Sequence, residues 1–316
     1  MSKKNVVVLG AGLSGLSASW VLNKKGYSVT ILEKDSINGG LAVTKTNDNY
    51  RYDLGPHNIH TVHGHIVSFL KKNFSNLHKH FPTLYVFKNN RFVKYPLKGI
   101  KVITTLPILR LFLASITFFM ARLTMFLREP KEDNSFQSWI TNRFGSVIYK
   151  EYFGNYAEKV WGISPKQIDR YVAEKRVPIV HFTELIKGIF FKRETKVDHP
   201  EFMDDNFYLK NGIGEIADFF ERETKTGGVN ILNTAYVKKI LVNDNKVTAV
   251  EFEHDGGIQS ISCDYVLSTI PINDLILKIE SVPDSIKRTA QELDYCATIL
   301  LFLKVRRRNI FPSSIV

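Results

Sequence analysis

The chain has 316 residues, of which 44% are hydrophobic and 23% are charged. This composition is typical of a globular protein and argues against a disordered, collagen-like or coiled-coil chain, while the length predicts about two domains. The formal net charge of +12 attracts polyanions such as nucleotides, nucleic acid or acidic lipid, but it does not select among them.

A strand, a glycine turn, a helix and a second strand are predicted before residue 34. Asn5–Leu9 has the aliphatic run of a buried strand, a helix extends from about Leu13 to Lys25, and the second strand covers residues 28–32. The turn has the pattern Gly-x-Gly-x-x-Gly, which lets the backbone approach a pyrophosphate at the helix N-terminus. Glu33 follows the second strand, where a carboxylate can accept hydrogen bonds from both ribose hydroxyls. A turn without a ligand is the alternative.

A glycine pair, Gly39-Gly40, follows Glu33 by six residues. It resembles the second fingerprint of the flavoprotein class that contains amine oxidases, protoporphyrinogen oxidases and UDP-galactopyranose mutases. Glycine there lets the backbone lie against the FAD pyrophosphate, and Glu33 argues against a 2′-phosphate. We therefore predict FAD as the cofactor. The predicted cofactor-binding residues are Gly10, Gly12, Leu13, Ser14, Gly15, Glu33, Lys34, Gly39, Gly40 and Leu41.

The resemblance implies an α/β fold in which a Rossmann-like FAD/NAD(P)-binding domain of the glutathione-reductase type carries an inserted, mostly helical and mixed-sheet substrate domain. We expect residues 1–70 to form the FAD-binding βαβ unit and flavin loop, and residues 71–205 the substrate domain. Residues 206–280 return to the FAD-binding domain, through a helix after Gly214 to Phe220 and strands at 230–232, 235–242, 246–254, 258–262 and, buried, within 264–271. Val237 in this part resembles the valine whose backbone meets adenine. Residues 281–316 are expected to begin a second, incomplete substrate-domain segment.

Four histidines lie between residues 57 and 65, which raises the question of a metal site. No cysteine is nearby, and Pro56 argues against a helix that presents them on one face, so we predict no metal and a flavin-contacting loop instead. Residues 55–61 resemble the histidine loop of UDP-galactopyranose mutases, which lies beside the flavin. The resemblance makes His57 and His60 candidate catalytic residues.

Further segments resemble the same family in the same order. They are residues 87–97 (a strand-turn-strand), 156–162 (a helix end with tyrosine, lysine, tryptophan and glycine) and 175–178 (an arginine-containing segment). The resemblance implies that Tyr156 and Trp161 stack on a nucleotide sugar and that Arg176, also a candidate catalytic residue, binds its diphosphate. From residue type alone, core packing of Tyr156 and Trp161 is the alternative.

The implied function is that of a flavoenzyme similar to UDP-galactopyranose mutase. It would act on a nucleotide sugar or related glycan precursor in polysaccharide biosynthesis through reduced FAD, with an external reductant such as NAD(P)H. An FAD-dependent oxidoreductase of the protoporphyrinogen or amine oxidase type and a non-catalytic FAD-binding protein are the alternatives. Cys296 stands where the family segment has arginine, and the family continues beyond Val316, so we expect a truncated or shortened relative with impaired activity.

The most apolar stretch is 106–127, whose longest uncharged run, 111–121, is shorter than the ~20 residues that cross a bilayer. A spanning helix is therefore disfavoured. The alternatives are a helix buried in the substrate domain and peripheral membrane contact through residues 102–128, with basic side chains meeting anionic headgroups. These side chains are Lys98, Lys101, Arg110, Arg122 and Arg128.

The remaining sequence features concern compartment and partners. Two cysteines, Cys263 and Cys296, are too few for a disulfide framework and indicate a reducing compartment. Glycines interrupt the first apolar run, so the N-terminus does not resemble a secretory signal. We expect a cytoplasmic protein, at the inner face of the membrane if 102–128 binds lipid, with no nucleic-acid partner; the sequence predicts no oligomeric state.

Overall fold

The computed structural model describes residues 3–61, 63–79, 84–88, 90–95, 106–127, 133–177, 206–295 and 297–307. The chain divides into two compact units, one formed by residues 1–80 with 207–301 and the other by residues 81–206 with 302–316. The domain bounds given above, at residues 70, 205 and 280, stay a prediction.

The described strands, in chain order, are β1 (Asn5–Leu9), β2 (Ser28–Leu32), β3 (Thr44–Asn47), β4 (Tyr50–Asp53), β5 (Ile59–His60), β6 (Leu77–Lys79), β7 (Leu84–Lys88), β8 (Arg91–Tyr95), β9 (Asn206–Leu209), β10 (Asn230–Leu232), β11 (Tyr236–Asn243), β12 (Lys246–His254), β13 (Gly257–Ser262) and β14 (Tyr265–Ser268). The described helices are α1 (Leu13–Lys24), α2 (Gly64–Asn73), α3 (Ile108–Leu127), α4 (Phe136–Phe144), α5 (Ser146–Ile148), α6 (Asn155–Trp161), α7 (Arg170–Arg176), α8 (Gly214–Thr226), α9 (Ile272–Lys278) and α10 (Asp284–Gln291). A π-helical segment, Tyr149–Gly154, joins α5 to α6.

A parallel sheet with the order β10-β2-β1-β14 organises the first unit. On one face, Val6, Val8 and Ile31 pack with Leu16 of α1 and with α8. On the other face, residues of β1 and β2 pack against the antiparallel sheet β11-β12-β13 through side chains such as Phe252. Apolar contacts on both faces explain the continuous aliphatic run of β1. The predicted Rossmann-like α/β fold is confirmed.

The second unit contains a β-hairpin, β7–β8, and the helices α3 to α7. Ser135 begins α4 with a capping box, in which its hydroxyl accepts from the Ser138 N–H, and the Asp169 carboxylate caps α7. Trp139 and Ile140 of α4 are buried against Ala157 and Ala173, so α4, α6 and α7 share one small core.

Several element bounds differ from the prediction. Helix α1 ends at Lys24, β11 begins at Tyr236 and β13 begins at Gly257. Helix α8 continues six residues beyond Phe220, to Thr226, and its buried Thr224 hydroxyl donates to the Phe220 carbonyl. The closing strand β14 is half-buried rather than buried, since it lies at an edge of the four-stranded sheet.

Helix α3 is exposed, so of the two alternatives given above the buried helix was wrong. Phe112 and Phe119 are more than 60% exposed, and Ala114 is the buried residue of the helix. By length and composition alone α3 could cross a membrane. The exposed apolar surface arises because the helix is apolar on two faces and only one of them packs on α4.

Candidate functional site

The two glycine turns of the first unit meet. The Gly39 N–H donates to the Ala11 carbonyl at 2.8 Å, and Gly12 and Gly39 form an isolated parallel bridge. A Cβ on Gly40 would lie 3.2 Å from the Gly12 Cα. The two backbones therefore form one continuous edge that side chains would obstruct, which is the surface a pyrophosphate needs.

The first turn depends on glycine for its own geometry. Gly10 has a φ of +96°, a conformation that side chains rarely adopt, and a Cβ on Gly15 would lie 1.9 Å from the Gly10 carbonyl oxygen. The hydroxyl of Thr269, the residue after β14, closes this turn by donating to the Leu9 carbonyl at 2.8 Å. Thr269 was not among the predicted residues, because nothing in the sequence near residue 10 indicates that a residue 259 positions later contacts the turn.

Helix α1 begins directly at the meeting point of the turns. Gly12 is its N-cap and makes no side-chain capping hydrogen bond, and no acidic residue lies in the first turn. The first N–H groups of a helix have no partner within the helix, and they carry the positive end of its dipole. Leu13 and Ser14 thus present main-chain donors where a phosphate would bind.

Glu33 is buried, with 7% of its surface exposed, directly after β2. One carboxylate oxygen accepts from the Ala11 N–H at 2.6 Å and the other from the Asp35 N–H at 2.9 Å. These two bonds fix the carboxylate in orientation and leave each oxygen a lone pair for a ribose hydroxyl. The arrangement fits the adenosine ribose of a dinucleotide.

The other predicted cofactor residues lie around this edge. Lys34 and Leu41 are exposed, and Asn233 fixes the second turn by donating to the Asn38 side chain at 2.8 Å. Val237 lies on β11 with its side chain buried among the residues between the two sheets. Its predicted contact through the backbone stays a prediction.

A buried carboxylate, Asp53, was missed by the sequence analysis. It accepts hydrogen bonds from the Thr44 hydroxyl, the Tyr208 hydroxyl and the Ile213 N–H, so it joins β3, β4, β9 and the start of α8. Burial, together with the bond to Asp53, raises the pKa of Tyr208. The sequence signal that could have identified this residue is its position, two residues before Gly55 at the start of the histidine loop. Its effect is to anchor the loop that follows, which carries the histidines.

The two candidate catalytic histidines differ in environment. The Nδ1 of His57 is buried and makes no hydrogen bond within the described part of the chain, whereas His60, on β5, is exposed. A buried polar atom without a partner is costly, and a cofactor that bonded to Nδ1 would remove that cost. Among the described residues no group of three or more His, Cys, Asp and Glu side chains could hold a metal ion.

In the second unit, the structure brings two of the three predicted substrate-binding residues together. The Arg176 guanidinium lies 6.0 Å from the centre of the Trp161 ring, and Trp161 packs against the helical core. Tyr156 is 69% exposed on the same helix as Trp161. Five residues along an α-helix correspond to a rotation of roughly 140°, so Tyr156 lies on a different face.

Of the two cysteines, Cys263 lies within the described residues. Cys263 is a buried free thiol, and burial, followed by the charge of Asp264, raises its pKa to about 11. Cys296 and the basic residues Lys98, Lys101 and Arg128 lie outside the described residues.

Comparison with known proteins places this site in context. Residues 8–72 match the NAD(P)-binding Rossmann-like domain family. An L-amino-acid oxidase of Sistrurus catenatus edwardsii is 34% identical over 110 residues, which is 30% of this chain and 21% of the relative. An L-amino-acid oxidase of Vipera ammodytes ammodytes is 26% identical over 285 residues, covering 84% of this chain and 53% of the relative.

Among solved structures, that of a reduced UDP-galactopyranose mutase has a TM-score of 0.77 and 22% sequence identity. The match covers 93% of this chain and 62% of the mutase, and at this identity it demonstrates the fold alone. The chain thus spans less than two thirds of the length of each of these proteins.

Proposed function

We propose that this chain binds FAD and acts as a flavin-dependent enzyme of the amine oxidase superfamily. The observation that carries the proposal is the meeting of Gly12 and Gly40 at the start of α1, beside the buried Glu33 carboxylate. The match of residues 8–72 and the two L-amino-acid oxidase relatives support it.

The residues present fit FAD, which when bound would supply a carrier for one or two electrons and a nucleophilic N5 in its reduced form. The N–H groups at the start of α1 would bind the pyrophosphate, and Glu33 would accept from the ribose hydroxyls. Gly39 and Gly40 would let the chain pass close to the cofactor. The loop anchored by Asp53 would place His57 where its buried Nδ1 gains a hydrogen-bond partner.

More specifically, we propose a reaction of the UDP-galactopyranose mutase type on a nucleotide sugar or related glycan precursor, in polysaccharide biosynthesis in the cytoplasm. Reduced FAD would be the active form, with a reductant such as NAD(P)H. Arg176 would bind the diphosphate by paired hydrogen bonds, and Trp161, which holds the guanidinium by a cation–π contact, would stack on the base or sugar. The ordered resemblance of residues 55–61, 87–97 and 156–162 to the mutases supports this choice.

A second candidate is an FAD-dependent oxidoreductase that removes hydride from an amine or a porphyrinogen. The 34% identity over 110 residues to an L-amino-acid oxidase favours it. Both candidates require the same cofactor site. One experiment therefore tests the cofactor, and a second one tests the reaction type.

The cofactor is tested with two glycine variants. Gly12→Val places methyl groups at the Gly40 backbone, whereas Gly64→Val, at the start of α2, meets open space. We expect wild-type protein and Gly64→Val to retain FAD and Gly12→Val to bind it at least tenfold more weakly, measured by flavin absorbance after gel filtration and by titration of apoprotein. A colourless wild-type protein that ignores added FAD would refute the proposal.

The reaction type is tested with UDP. We expect UDP to bind the reduced protein more tightly than the oxidised protein, and Arg176→Ala to lose that binding. Arg170→Ala, at the other end of α7, is the matched control and should bind normally. Oxygen-coupled turnover of an amino acid, amine or porphyrinogen without UDP binding would select the oxidoreductase.

A further inference from the structure

Helix α3 carries an apolar surface that the described part of the chain leaves exposed. Leu109, Phe112, Phe119, Met120 and Phe126 are each more than 60% exposed. With 3.6 residues per turn these positions fall within an arc of about 120° on one side of the helix. A contiguous exposed surface of this kind on a protein marks an interaction site rather than ordinary surface.

The opposite side of α3 is fixed to the second unit. Ala114 is buried, and a Cβ on Gly145, which precedes α5, would lie 2.7 Å from the Phe118 nitrogen, so the middle of α3 contacts the backbone of this turn. Arg110, near the start of α3, forms an ion pair with Glu151. Among the described residues, α3 therefore has one side that packs on the second unit and one apolar side that is exposed.

The charges in the sequence around α3 indicate which kind of partner would cover its exposed apolar side. Residues 96–128 contain five basic residues and no acidic residue, within a chain of net charge +12. Arg110 is paired with Glu151, which leaves Lys98, Lys101, Arg122 and Arg128 as further positive charges in this segment. A second copy would bring the same cations against these, which is unfavourable. A surface of anionic lipids offers both acyl chains for the apolar side and negative headgroups for the cations.

The packing of α3 on α4 also indicates how the helix would lie relative to a membrane. A helix of 20 residues is about 30 Å long, which would match the hydrocarbon thickness. A spanning α3, however, would take its partner α4 into the hydrocarbon, together with the Arg143–Asp133 ion pair. Charged groups there cost several kcal/mol each. A helix that lies in the membrane plane keeps α4 on the aqueous side.

We propose that α3 is a membrane-docking helix that inserts its exposed apolar side into the interface of anionic lipid bilayers while its other side stays packed on α4. This binding does not depend on the proposed enzymatic function. It makes the protein a peripheral one, released by conditions that leave spanning helices in place.

The test is flotation of the purified full chain with vesicles of phosphatidylcholine alone or with 30 mol% phosphatidylglycerol. We expect binding to the anionic vesicles, weakened severalfold when NaCl is raised from 0.1 to 0.5 M, because surface charge interactions are screened. Phe119→Glu should lower the partition coefficient at least tenfold. Ile258→Glu is the matched control, because Ile258 is also 64% exposed but lies on β13, and it should bind as the wild type does.

Three outcomes would overturn the proposal. They are the absence of wild-type binding to anionic vesicles, equal binding by Phe119→Glu, and a bound fraction that resists sodium carbonate at pH 11, which would indicate a spanning helix. A dimer by light scattering that Phe119→Glu dissociates, without vesicle binding, would assign the surface to a second copy. Circular dichroism of both variants establishes that they are folded.

Discussion

Glu33 has a structural role that can be separated from its proposed contact with ribose. Its two oxygens accept from the Ala11 and Asp35 N–H groups in a buried position. Glu33→Ala leaves both donors without this partner, and a hydrogen bond to a charged group contributes about 1.5–3 kcal/mol. We therefore expect the free energy of unfolding of the apoprotein to fall by about 2–4 kcal/mol in urea denaturation.

The exposed Glu292→Ala is the control for this measurement and should change the unfolding midpoint little. An apoprotein with Glu33→Ala that is as stable as the wild type would show that Glu33 contributes through the ligand alone.

Cys263 offers a second test at the scale of a single residue. Because burial raises the pKa of its thiol to about 11, the thiolate is scarce at pH 8 and increases with pH. In a Cys296→Ser background, we expect alkylation by iodoacetamide in the folded protein to rise about tenfold per pH unit up to pH 10. In urea the rate should level off above pH ~8.5, the ordinary pKa of the group. A folded-state plateau near pH 8.5 would contradict the assigned environment.

At the scale of elements, Gly145 determines how closely α3 approaches the turn before α5. Gly145 and Gly162 both have positive φ, but a Cβ on Gly145 meets Phe118 backbone whereas one on Gly162 meets nothing within 4 Å. Gly162→Ala should cost about 1 kcal/mol from backbone conformation alone. We expect Gly145→Ala to lower the thermal midpoint of unfolding at least twice as much as Gly162→Ala does. Equal shifts of the midpoint in the two variants would contradict the close contact.

The sequence predicted the elements whose signals are local. The aliphatic run of β1 and the glycines that follow it defined β1, α1 and β2 to within one residue. The exposure of α3 could not be predicted, because a helix that is apolar on two sides does not reveal which side has a partner. Asp53 was missed because its partner Tyr208 is 155 residues away, and such pairing depends on the tertiary fold.

At the scale of the whole molecule, every predicted FAD-binding residue lies in the first unit, whereas Tyr156, Trp161 and Arg176 lie in the second. The three tryptophans report on both, since Trp20 packs with Phe69 and Phe220 in the first unit, and Trp139 and Trp161 belong to the core of the second.

FAD should therefore stabilise the two units unequally. At a hundred times its dissociation constant a ligand adds about 2.7 kcal/mol to the stability of the part that binds it. In Trp20→Phe, we expect the urea midpoint of tryptophan fluorescence to be unchanged by FAD, while a transition in far-UV circular dichroism moves to higher urea. The wild type is the control for Trp20 emission. Equal shifts of both signals would mean that the two units unfold together.

The position of β1 in the parallel sheet also governs when the protein can fold during synthesis. β1 pairs with β2 on one side and with β14 on the other, and Asn5 bonds to Asp264 across 259 residues. At about 5–20 residues per second a ribosome needs roughly 13–50 s to make the intervening chain. For that time one edge of an aliphatic strand lacks its partner strand. We therefore expect the nascent chain to depend on chaperones that shield such edges, and the proposed cofactor to bind only after the sheet is complete.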